Sequence, residues 1–395
     1  MDILNLIGRN KALFDSDIAN HEKQLNSIIK NHRFLVIGGA GTVGQAVVKA
    51  IFYRDPKLLH VVDISENNLV ELVRQIRSTE GYKDGEFKTF CLDIGSIEYD
   101  HFISSFGNYD YVFNLSALKH VRSEKDPFTL MRMVNVNIFY ADKTIMQSIN
   151  GNCKKYFSVS SDKATNPVNM MGATKKIMEL FMFKRSSEIP ISTARFANVA
   201  FSDGSLLYGF DQRMKLFQPL ATPKDIKRYF ITPEESGLLC LMSGLLGENR
   251  DIYFPKLVEG FELKSLKEIT INYVNERGYD PIICENEDEA RLKAKEIKKT
   301  GKWPCYFFYS DTTGEKKFEE FYTENENLIM DRYEGIGVIK SDQKFNNNDL
   351  FYFKKEIDKM LYKGKWTRND LLNLFERVLS NFNHIEKNKH LDDHL

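Results

Sequence analysis

Residues 33–44 read RFLVIGGAGTVG. FLVI is a continuous apolar run, as expected of a buried parallel strand, which has no solvated face to alternate with. Gly38, Gly41 and Gly44 follow at a GxxGxxG spacing and open the stretch QAVVKAIF, which reads as a helix. Glycines there let the backbone approach a pyrophosphate, and the helix start offers free N–H groups and a positive dipole end. Alone, the spacing could equally reflect close packing. A second apolar run, LLHVVD, ends in Asp63, about 20 residues past the glycines. An acid there accepts from ribose hydroxyls and repels a 2′-phosphate. Strand, glycine turn, helix and acid together predict a dinucleotide site selective for NAD over NADP.

Working outward, a third strand, FKTFCLD, ends in Asp93, which either meets an adenine or caps the next helix. A fourth, YDYVFNLSA, runs to Leu118-Lys119-His120 and is followed by a helix that includes Asn135. A fifth, FSVSS, drops into the polar loop DKATNPVN and resumes as a helix from Met170. A sixth, ISTARFANVA, continues into SDGSLL. Strands alternating with helices define an α/β fold, a Rossmann-like doubly wound parallel sheet. Asp162 and Lys163 sit side by side where the fifth strand ends, and Lys175 follows on the first turns of the helix. In open α/β sheets the carboxyl end of a strand is where ligands bind. An acid–base pair there is placed for proton transfer; the bland alternative is a solvated ion pair beside an ordinary helix lysine.

The 395 residues carry 55 basic and 55 acidic side chains. That balance gives no basic nucleic-acid surface and no polybasic membrane face. Five cysteines (Cys91, Cys153, Cys240, Cys284, Cys305) form no CxxC. They read as reduced thiols, not as disulfides or a metal site. No apolar run reaches the roughly 18 residues of a membrane span, and no signal pattern opens the chain. A cytoplasmic protein is expected.

Four regions follow. Residues 1–32 form a helical segment, with Ile18, Leu25, Ile28 and Ile29 on one face and Asp15 or Ser16 as cap. Residues 33–200 form the dinucleotide domain. Residues 201–330 form a substrate lobe, interleaved with the first. Within it, Arg213, Lys215, Lys224, Lys227 and Arg228 could hold a diphosphate; 264–278 and 286–299 read as charged helices, WPCYFFYS as a strand, and DTTGEKKFEEF as a loop entering a helix. Residues 331–395 read as a helical extension with Leu371, Leu372, Leu374 and Phe375 on its apolar face. Its tail, HIEKNKHLDDHL, reads as frayed, with solvated histidines at 390 and 394.

GGAGTVG, NLSALKHV, SSDKATNPVNMMGATKK, RFANV with DGS after it, and DIKRYF occur here in one order. Together they resemble the extended short-chain dehydrogenases that act as nucleotide-sugar 4,6-dehydratases, the CapD-like polysaccharide-biosynthesis group acting on UDP-N-acetylglucosamine. The resemblance covers about residues 33 to 240 and resumes at Gly314-Glu315-Lys316. It implies NAD as cofactor, held by Gly38, Gly41, Thr42, Val43 and Gly44, by Asp63, Ile64 and Ser65, and by Asp93 and Ile94. Leu115, Ser116, Ala117 and Asn135 complete that site, with Lys175 on the nicotinamide ribose.

The reaction so implied removes hydride from C4 of the hexose, eliminates water across C5 and C6, and returns the hydride to C6. By resemblance, Asp162 is the general acid at the C6 hydroxyl, Lys163 the base at C5, and Ser161 a partner of the C4 oxygen. Lys119 and His120 would lie near the sugar, Asn198, Gly204 and Ser205 near the diphosphate. Arg228 would neutralise a phosphate and Glu315 reach the nucleotide end. No metal is implied. The nucleotide is UDP or GDP; a downstream aminotransferase would consume the product, for a bacillosamine- or legionaminic-type surface glycan, and the chain is expected to form a homo-oligomer.

One position departs from the ordinary short-chain pattern, Tyr-x-x-x-Lys. Its tyrosine is replaced by Met171, whose thioether cannot act as a base. The larger, membrane-anchored dehydratases of this group also carry methionine there and retain configuration at C5, so retention is expected here. Two rivals remain: a nucleotide-sugar epimerase on the same fold, which has no need of an acid at C6, and a non-catalytic NAD-binding scaffold.

Overall fold

In the computed structural model, residues 2–342, 344–387 and 389 are described. The first six predicted strands fall in one nine-stranded sheet among the described residues, while WPCYFFYS joins a separate three-stranded sheet. Leu58–Asp63 and Glu86–Cys91 lie on one side of Arg33–Ile37, and Tyr111–Asn114, Lys155–Val159 and Ile191–Ala194 on the other. All these neighbours pair parallel. The strand order therefore reverses between Arg33–Ile37 and Tyr111–Asn114, where a doubly wound sheet opens its ligand crevice. The helix Thr42–Tyr53 packs against Pro233–Leu246, so residues numbered within the expected substrate lobe help cover the dinucleotide sheet.

Three strands of this sheet are absent from the reading of the sequence. Asp251–Pro255 adds parallel to Ile191–Ala194, then Ile336–Lys340 and Leu328–Ile329 finish the edge antiparallel. Ile336–Lys340 falls inside the stretch expected to be a helical extension, so that stretch is helical only from Asn347 onward. At this edge Asp251 is fully buried. Its carboxylate is held by Arg332 at 2.6 Å and Lys340 at 3.0 Å.

The lobe itself is a three-stranded parallel sheet, ordered Asp280–Cys284, Lys302–Phe308, Leu220–Pro223, with Leu266–Glu276 packed on it. The charged helix expected at 286–299 breaks into Glu287–Ala294 and Ile297–Thr300. Residues 311–321 form no helix. Their carbonyls are taken by distant side chains instead: Arg228 binds those of Lys316 and Lys317, Thr165 and Arg195 that of Phe321, and Asn169 that of Gly314.

At the amino end, Asp15–Lys30 is helical as expected, with Leu25 and Ile29 buried. Its cap is Phe14, not Asp15 or Ser16, and no side chain caps it; Asp15 and Asp17 lie in the first turn, where acids favour the dipole. Asp17 is instead turned to the backbone N–H groups of Glu334 and Gly335. At the carboxyl end, Asn347–Lys363 and Arg368–Val378 lay Phe353, Leu371 and Phe375 into the main core. The segment after them is not frayed through residue 387. The N–H of Ile385 donates to Val168, and its carbonyl accepts from Gly314. His390 and His394 lie outside the described residues.

Candidate active site

The glycine turn begins where Arg33–Ile37 ends. Gly38 has φ +71°, and a Cβ there would fall 2.6 Å from the Ser116 nitrogen. A Cβ on Gly44 would fall 2.1 Å from the Gly38 oxygen. Both are therefore required by packing. Gly41 is different. A Cβ on it would meet nothing nearer than the Gly38 oxygen at 3.7 Å. Gly41 is also the N-cap of Thr42–Tyr53, with no side-chain cap. The open approach and the free helix N–H groups fit a diphosphate.

Asp63 ends its strand half-exposed and accepts from Ala40 N and Ser65 N, each at 2.9 Å. Ile64 is exposed beside it. Asp93 accepts from the N–H of Gly95, which makes it a turn former, while Ser96 caps the following helix. Ile94 is buried and its carbonyl accepts from Lys143. Leu115 is buried, with Ser116 and Ala117 half-exposed at the crevice. Asn135 opens a π-helical turn, Asn135–Phe139. The residue that holds the neighbouring loop is Asn137, which the sequence did not single out. It bonds the N–H and carbonyl of Leu118 and the hydroxyl of Thr174, each at 2.9 Å.

The strand Lys155–Val159 stops two residues earlier than expected, and Asp162–Ala164 is a 3-10 turn. Ser161 Oγ donates to Asp162 Oδ1 at 2.9 Å, and Lys163 Nζ donates to the same oxygen at 3.1 Å. Asp162 is buried. Asn198, expected near a diphosphate, instead accepts from Lys163 Nζ at 3.4 Å. Glu319 Oε1 lies 4.0 Å from the same ammonium. This second carboxylate had no signal in the sequence beyond an acidic pair in a polar loop.

Asn169 caps the helix Met170–Lys184 through the N–H of Gly172. A Cβ on Gly172 would lie 2.3 Å from the Lys163 carbonyl oxygen, so only glycine lets the turn Asp162–Ala164 pack this closely. Met171 is buried, and its N–H donates to the buried carboxylate of Glu124, which His384 Nε2 also contacts at 3.0 Å. Lys175 is buried and donates to the Val159 carbonyl at 3.0 Å. Burial pulls its ammonium down to about 8, against the attraction of Glu179. Beneath, Arg195 pairs with Glu179 and Glu326 and so ties the helix Met170–Lys184 to the segment before Leu328–Ile329.

Across the crevice, Lys119 donates to Ser202, and the ring of His120 packs on Gly204. Burial lowers the His120 imidazole, helped by the Lys119 and Arg122 cations. Ser205 caps the helix Leu206–Lys215. The N–H of Asp203 donates to Thr42 Oγ1, so this loop closes on the glycine turn. Arg228 and Glu315, expected at a phosphate and at a nucleotide, bind each other at 3.0 Å. A buried guanidinium needs such a partner, so the phosphate role given to Arg228 requires opening that pair. Val43 lies half-buried, against both halves of the core. All five cysteines are free thiols.

Residues 34–341 match the polysaccharide biosynthesis protein family. The chain belongs to that family. An uncharacterized membrane protein of Methanocaldococcus jannaschii is 30% identical over 87% of this chain and 96% of its own length. The capsular polysaccharide biosynthesis protein CapD of Staphylococcus aureus is 25% identical over 95% of this chain. The chain spans 56% of CapD. The solved structure of Pen from Bacillus thuringiensis superposes with TM-score 0.65 at 26% identity, covering 80% of this chain and 89% of Pen. The fold is shared by DesIV of Streptomyces venezuelae, a dTDP-glucose 4,6-dehydratase solved with NAD bound (TM-score 0.58, 13% identity, 82% of this chain and 97% of DesIV). This family member is thus related to a capsular polysaccharide biosynthesis protein and shares its fold with a nucleotide-sugar dehydratase. No helix among its described residues is long and apolar enough to cross a membrane.

Proposed function

We propose that this protein is an NAD-dependent nucleotide-sugar 4,6-dehydratase that takes UDP-N-acetylglucosamine, or its GDP counterpart, and retains configuration at C5. The carrying observation is the wired triplet Ser161–Asp162–Lys163 at the carboxyl end of a central strand, with Met171 where a phenolic base would stand. Gly41, Asp63 and Lys175 would hold the dinucleotide. The chemistry NAD supplies when bound is hydride removal from C4 and its return to C6.

The residues of the chain then divide the proton work. Ser161 Oγ accepts the C4 hydroxyl proton and passes its own to Asp162 Oδ1, 2.9 Å away. Asp162, now an acid, gives that proton to the departing C6 hydroxyl. Lys163 removes the C5 proton and later returns a proton to C5 from the same face. The balance is one water lost. A thioether at 171 takes no part in this route, which is why methionine is tolerated there. An epimerase would leave the substrate mass unchanged and Asp162 without a task.

The test is mass spectrometry of the protein incubated with UDP- and, separately, GDP-N-acetylglucosamine in deuterium oxide. Loss of one water with deuterium gained at C5 from one of them is the expected result, and NMR of that product reads C5 configuration. An unchanged mass with both sugars overturns the proposal. The 4-keto product would be consumed by an aminotransferase. Cytoplasmic residence and a homo-oligomeric state belong to the same reading.

A further inference from the structure

Glu319 has no task in the scheme above, yet it is 4% exposed and faces the catalytic lysine from the opposite lobe. Its Oε2 is buried and has no hydrogen-bond partner among the described residues. The charged groups around it are Lys163, Asp162, Arg228 and Lys316. Arg228 is committed to Glu315 at 3.0 Å. The Lys316 ammonium donates to the Thr165 carbonyl at 3.0 Å and stands 3.7 Å from Glu319 Oε2. Lys163 thus lies between two carboxylates, Asp162 Oδ1 at 3.1 Å and Glu319 Oε1 at 4.0 Å. Such contacts commonly tighten only when substrate binds.

A lysine must be neutral to remove the C5 proton. Its nearest acceptor, Asp162, is taken in the scheme above, because it holds the proton from the C4 hydroxyl. We propose that Glu319 is the second acceptor, a proton-storing residue that acts through Lys163. The inference rests on the dehydratase reading of the site. The cycle balances without solvent. The Lys163 ammonium gives one proton to Glu319, and neutral Lys163 takes the C5 proton. Asp162 releases its proton with the leaving hydroxyl. Lys163 returns its proton to C5 and then recovers the stored one from Glu319. Burial raises the Glu319 carboxyl, against the pull of the Lys163 ammonium, which suits a group that must hold a proton in mid-cycle.

The experiment compares wild type with Glu319→Gln and Glu319→Asp, after checking that each retains its fold by melting. Between pH 6 and 9, internal transfer makes wild-type kcat nearly flat. In Glu319→Gln the lysine must lose its proton to water, so kcat is expected to rise by about tenfold per pH unit. Glu319→Asp keeps a carboxyl and should keep the flat profile at a lower rate. A loss of turnover in both variants with the wild-type pH shape assigns Glu319 a structural role and overturns the proposal. A second arm needs no substrate: the pH dependence of Lys163 acylation by acetic anhydride, read by mass spectrometry. Wild type should level off toward low pH where Glu319→Gln keeps falling, and parallel curves overturn the proposal. Absence of any wild-type turnover sinks the dehydratase reading alone, leaving this arm to decide Glu319.

Discussion

At the scale of single residues, the site depends on which groups hold protons. In the proposed scheme, Asp162→Asn removes the acid for the C6 hydroxyl, and Lys163→Ala removes the base for C5. Each is expected to lower turnover by about a hundredfold or more while the fold persists; steady-state rates beside melting curves check this, and near-normal rates in both would exclude the assigned roles. A different lysine offers a measure of burial alone. Lys155 is buried away from the triplet, with its ammonium on the carbonyls of Ser243 and Gly247. Burial pulls it down to about 7, against Asp251 and Glu248. Its unfolded value is about 10.4. Between those limits the unfolded chain binds the extra proton, so stability rises with pH by up to ~1.4 kcal/mol per unit from this group. Urea titrations at several pH values should show this increment in wild type and its loss in Lys155→Met.

At the scale of elements, the turn Asp162–Ala164 and the helix after it are clamped from behind by parts distant in sequence. Glu124 receives the Met171 N–H and touches His384, while Ile385 bridges Val168 and Gly314. Replacing His384 by Ala leaves the buried Glu124 carboxylate short of a partner. The expected cost is about 1–3 kcal/mol, read as a lower urea midpoint, with a matching fall in Met171 amide protection by hydrogen exchange. Unchanged protection would show that the clamp does not reach the helix. The sequence shows why the first six strands and their glycine turn were readable: each is a short apolar run with its turn chemistry beside it. Ile336–Lys340 is also a short apolar run, IGVIK, but sits among polar residues next to a helix-forming stretch, so period alone could not separate it. Ser161, Asp162 and Lys163 are neighbours in sequence and were legible together. Glu319 meets Lys163 only through the docking of residues 311–321, and no local pattern carries that information.

At the scale of the whole molecule, segments far apart in sequence meet where Lys163 at the end of a central strand faces Glu319. A ligand seated there binds only the folded form, so it should raise the melting temperature by mass action. NAD is expected to do so, and UDP or GDP to add a further increment. The nucleotide that adds it names the substrate; no shift with NAD would set aside the cofactor assignment.

The buried carboxylate of Asp251 has a consequence for the birth of the chain. Its strand is made well before the two cations that neutralise it, Arg332 and Lys340, and before the strand Ile336–Lys340 that covers its edge. A nascent chain therefore carries an open sheet edge through synthesis of residues 256–335. An inward charge discourages that edge from pairing with the wrong strand. Pulse-labelled exchange during refolding should find the amides of 251–255 among the last protected, and Asp251→Asn should aggregate more during refolding than wild type.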